Sequence, residues 1–72
     1  MTLKGQFAKR QKVFDDALAT VEAAALDGGV IELHAEAQRL LKRHQDCMMP
    51  VGEVEAEIVR LASEHGVAVI FD

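Results

Sequence analysis

Gly28-Gly29, Pro50 and Gly66 interrupt the chain at three places, and no stretch between them is longer than 27 residues. Glycine accepts the left-handed backbone that ends a helix, and proline fits where a helix begins. In a polypeptide of 72 residues these interruptions leave a few short elements around one small core, in a single domain spanning residues 1–72.

The apolar residues between the interruptions recur at helical period. In the first segment, about Thr2 to Leu26, Phe7, Phe14 and Val21 are seven apart. Leu3, Ala17 and Ala24 lie beside them, and Leu18 and Ala25 flank the other side. That is one stripe on a long amphipathic helix. The alanine-rich stretch Ala17–Leu26 adds intrinsic propensity, and Gly5 moves the expected ordered start toward Gln6.

The second segment, about Val30 to His44, carries Val30, Leu33, Ala37, Leu40, Leu41 and His44 on one face. Val30-Ile31 has strand character by itself, but the helical period that follows extends the expected helix over it. Lys42, Arg43 and His44 close the segment, where the helix dipole favours cations. After a connection from Gln45 to Pro50, a third helix is expected with Val51, Val54, Ile58, Leu61, Ala62 and His65 along its stripe. Glu53, Glu55 and Glu57 suit its early turns, and Gly66 ends it.

The second and third segments share a pattern at an offset of 21. VIELHAEAQRLLKRH and VGEVEAEIVRLASEH match at seven of fifteen positions, including Arg39/Arg60, Leu40/Leu61 and His44/His65. Two amphipathic helices built to one recipe explain this without duplication, and they make a natural hairpin.

Val67–Asp72 is a short β-branched run and reads as a strand. Its backbone groups need partners. The expected partner within the chain is the extended stretch Cys47-Met48-Met49; outside it, the same strand of a second chain. The expected architecture is therefore mainly α: a long helix, a helical hairpin and a short C-terminal strand.

Chemistry-bearing motifs are sparse. Cys47 is the only cysteine, which excludes disulfides and paired-cysteine zinc sites. His34-Ala35-Glu36 matches half of a zinc-deaminase signature whose cysteine half is missing. His44 and Cys47 lie close enough in sequence to imagine a reactive thiol, but packing of Cys47, Met48 and Met49 under the connection is the better account. The histidines at helix ends have a structural explanation. No catalytic residues, metal or cofactor are expected, and the chain is not read as an enzyme.

Charge divides the chain unevenly. Lys4, Lys9, Arg10 and Lys12 give the first fourteen residues +4 with no acid, and the remainder holds twelve acids against four cations, for a total of −4. An acidic body repels phosphate. A helix-turn-helix DNA-binding reading is the alternative considered. It is opposed by the long Gln45–Pro50 connection and by a third helix bearing Glu53, Glu55, Glu57 and Glu64 against one arginine. No apolar run is long enough to span a bilayer, and one thiol with three methionines suits a reducing cytoplasm.

Length supplies the functional expectation. A first helix of about 25 residues is near 38 Å long, and two of about 15 are near 22 Å. The hairpin cannot cover the whole first stripe. The N-terminal end should remain bare, presenting Leu3, Lys4, Phe7, Lys9, Arg10 and Lys12. Val67, Val69 and Phe71 on the terminal strand should face a core or a second chain. The expectation is a protein–protein interaction or regulatory module, a homodimer or one that meets another protein, without nucleic acid or membrane.

Overall fold

The computed structural model describes residues 3–71, with side chains from residue 7 onward. Three helices and two short strands follow in the order α1 (Leu3–Leu26), β1 (Val30–Glu32), α2 (Leu33–Arg43), α3 (Val51–His65) and β2 (Ala68–Ile70). The chain is mainly helical, as the periodicity predicts: a long helix followed by a helical pair, with a strand at the C-terminus.

Each helix contributes one buried line. On α1 it is Val13, Ala17 and Val21; on α2, Leu33, Ala37 and Leu40; on α3, Val54, Ile58, Leu61 and Ala62. Cys47, Met49, Val67 and Ile31 complete the cluster. Ala17, Ala37 and Ala62 are all fully buried, so every helix contributes a small residue to the core. The buried line on α1 keeps Val21 and Ala17 of the expected stripe but takes Val13 in place of Phe14. Phe14 is half-buried at the edge of the core, and Phe7 lies beyond its end. A repeat of seven drifts about 20° around a straight helix per step, so a heptad spacing does not stay centred on one face.

The helix ends follow from the glycines. Gly29 donates its N–H to the Ala24 carbonyl at 2.7 Å, and Gly28 and Gly29 have φ of 117° and 77°. At the end of α3, Gly66 has φ 69° and Val67 donates to the Ala62 carbonyl at 2.8 Å. These six-to-one bonds with left-handed glycines cap carbonyls that the helix itself leaves open. Pro50, at φ −64°, occupies the cap position before α3.

Two expectations about strands are corrected. Val30–Glu32 is a strand, not the first turn of α2, and it is the partner of β2 in place of Cys47-Met48-Met49. The pairing is parallel, with Val30 opposite Ala68, Ile31 opposite Val69 and Glu32 opposite Ile70. Parallel strands need a long crossover. The hairpin of α2 and α3 supplies it, whereas the glycine turn after α1 delivers Val30 beside the start of β2. Ile31 is then buried between α1 and α2, and Cys47 and Met49 are free to fill the core. The matched pairs Val30/Val51 and Glu32/Glu53 thus hold the same residues in different structures, strand in one and helix in the other.

Leu40 is the largest fully buried side chain. Leu40→Ala is expected to cost about 2–5 kcal/mol, read as a lower urea midpoint. Gly66→Ala meets no neighbour within 4 Å, so only the left-handed backbone opposes it. The expected loss is about 1–2 kcal/mol in the same assay.

Candidate interaction surface

The helix lengths leave α1 overhanging its cover. Its 24 residues extend about 36 Å, and the molecule measures 41 × 20 × 17 Å. The buried line begins only at Val13, and Phe7 is 69% exposed. Lys9 and Arg10, expected on the outer surface, reach back into the molecule. Lys9 approaches Asp46 of the α2–α3 connection at 3.9 Å, and Arg10 pairs with Glu53 on α3. The Arg10 guanidinium also lies 5.9 Å from the centre of the Phe14 ring, a cation–π contact. Both cations are half-exposed and fasten α1 to the start of the third helix. Lys12 is exposed with no carboxylate partner among the described residues. The side chains of Leu3 and Lys4 lie outside the described residues.

The same two ion pairs bring other apolar residues to this end. Met48 follows Asp46 by two residues and Val51 precedes Glu53 by two, so both are close along the chain to residues that these pairs hold. Met48 is 83% exposed and Val51 is partly so.

The opposite end is the sheet. Alternation along β1 and β2 turns Ile31 and Val69 inward and Val30, Glu32, Ala68 and Ile70 outward. Val30, Ala68 and Ile70 are exposed on the outer face and form one apolar patch across both strands. Leu26, at the end of α1, and Phe71, just past β2, are exposed at this end too. Of the three strand residues expected to share a role, Val67 is buried in the chain's own core, Val69 is half-buried, and Phe71 is 68% exposed. Val67 is therefore not available to another chain. Leu26, Val30, Met48 and Ile70 were not foreseen from the sequence. Val30 and Ile70 become neighbours only through the strand pairing, which the helical period over residues 30–44 concealed.

Many of the titratable residues pair with one another, some between elements and some within one helix. His44 meets Asp16 at 3.0 Å, and Arg43 meets the same carboxylate at 3.2 Å, holding the end of α2 to α1. His34 pairs with Glu55 across α2 and α3. Arg39 binds Glu36 at 2.5 Å, and Arg60 binds Glu57 and Glu64 at 2.5 and 2.8 Å. His65 is exposed in the last turn of α3. Cys47 is buried. Among the described residues, no group of three or more histidine, cysteine or acidic side chains is arranged to hold a metal ion. Five cations, Lys9, Arg10, Arg39, Arg43 and Arg60, are thus matched by carboxylates of the same chain.

Two open clefts accompany these surfaces. One of about 470 Å³ runs between α1, β1 and α2, with Asp16, Ala19 and Ala23 from α1 and Glu36, Arg39 and Arg43 from α2. Arg43 pairs with Asp16 across it, and Arg39 with Glu36. A second, of about 370 Å³, is lined by Gln38, Leu41, Lys42, Gln45 and Val51. Among the described residues, no helix is long and apolar enough to cross a membrane. No protein-family model matches this chain, and neither does any curated protein or solved structure.

Phe7→Glu tests how the overhang is held. Phe7 lies outside the buried cluster, so stability should change by no more than about 0.5 kcal/mol in urea unfolding. A loss above about 2 kcal/mol would place Phe7 in the core.

Proposed function

We propose that this chain is a small protein–protein interaction module that associates with a second copy of itself, acting by contact and not by catalysis. One observation carries the reading: the core occupies the middle of the molecule, and both ends are left apolar. Phe7, Leu26, Met48 and Phe71 are between 68% and 91% exposed, and the outer sheet face joins Val30 to Ala68 and Ile70. Lone exposed apolar residues are ordinary, but a contiguous patch marks a contact surface. A domain of this size gains stability from a second copy, because one small core supplies few kcal/mol.

The electrostatics agree with a protein partner more than with a nucleic acid. A phosphate backbone is bound by unpaired lysines and arginines on one face. Here five cations already hold carboxylates, and the overall charge is −4. A reducing cytoplasm fits the lone thiol, Cys47.

Sedimentation equilibrium from 10 µM to 1 mM is the test. The expected outcome is a weight-average mass that rises above 7.9 kDa with concentration. A mass fixed at that of one chain throughout overturns the reading.

A further inference from the structure

We propose that the surface joining two copies is the free edge of β2, paired antiparallel with the same edge of the second copy about a two-fold axis at Val69. This rests on the self-association reading above and names its site. The geometry begins with hydrogen bonds. The sheet has two strands, and the Ala68 N–H donates to the Gly29 carbonyl at 2.7 Å. Along a strand, successive residues direct their polar groups to opposite sides. Ala68 and Ile70 therefore face β1, and the N–H and C=O of Val69 face outward. Among the described residues no third strand joins the sheet, so the side of β2 away from β1 has no strand partner.

An edge of this kind is completed only by extended backbone, and the sequence here matches itself. Residues 66–71, GVAVIF, carry no charge, so a two-fold arrangement sets no like charges opposite one another. With Val69 on the axis, the two Val69 residues exchange both hydrogen bonds. Ala68 then lies opposite Ile70 of the second copy, and Val67 opposite Phe71. Phe71 shares the inward side of the strand with Val67 and Val69, yet it is 68% exposed because its own core ends before it. In this register the Phe71 of each copy passes over the inward side of the other, which covers it. The outer patches of Val30, Ala68 and Ile70 also merge into one face across four strands. Three-residue strands bury less than the roughly 1,200 Å² of a stable specific interface, so half-association falls at about 0.1–1 mM.

The antiparallel register makes a signature. Ala68 and Ile70 form a non-hydrogen-bonded pair across the axis, which brings their Hα atoms together. In a 1 mM mixture of labelled and unlabelled protein, an intermolecular NOE between the Hα protons of Ala68 and Ile70 is expected. Val69→Pro removes the outward N–H without touching the bonds to β1, and should abolish both that NOE and the mass increase. Phe71→Lys lies outside the core and covers the case in which the proline variant does not fold. It should weaken association at least tenfold while the circular dichroism of the helices stays unchanged. If the parent associates but Phe71→Lys associates equally well and the NOE is absent, the edge is not the interface and self-association stands through another surface. If the parent remains a monomer at 1 mM, both proposals fall.

Discussion

The seam between α1 and α3 holds the molecule together. The more extensive helix contact is made there, with Val13, Ala17 and Val21 facing the line that runs through Val54 and Ile58. A helix within a protein draws most of its stability from the packing of its apolar face, and the 24 residues of α1 need that face covered. The cover is only fifteen residues long. From that mismatch comes the bare end at Phe7. The ion pairs of Lys9 and Arg10 then set where along α1 the cover begins, since both reach to residues at or just before the start of α3.

The two-residue glycine turn at the other end is the second fixed point. By reversing the chain after Leu26 it lays Val30–Glu32 beside the place where α3 will deliver Ala68–Ile70. The sheet is therefore a clasp between the two ends of a crossover. It is also minimal. Two strands of three residues have one inward side, filled by Ile31 and Val69, and one outward side that is exposed. A pair of strands this short is marginal without packing beneath it, and here the packing comes from the helices.

Much of this was legible in the residues. The third helix reads correctly from Val51 to His65, because proline before it and glycine after it act on the local backbone whatever surrounds them. The inward lines of the two shorter helices also follow from spacing alone. Val30-Ile31 misled, since three residues ahead of an uninterrupted helical period look like its first turn. So did the likeness between the second and third segments: its two matched starts fold differently because only one of them has a strand to pair with. At the candidate surface, Phe7 and Phe71 were legible as apolar residues near the ends of elements. Lys9 and Arg10 looked like part of the same face, and their carboxylate partners, more than thirty residues away, could not be read from their own neighbourhood.

What the sequence alone determined is the number of helices, the limits of the third and the inward side of the two shorter ones. These depend on propensities and periods that act within a few residues. Tertiary structure decided which strand pairs with which, which cations are neutralised, and which apolar side chains stay in water. Those outcomes depend on residues far apart in the chain meeting in space, and a hydrogen bond from Ala68 to Gly29 is made only after two helices have brought them together.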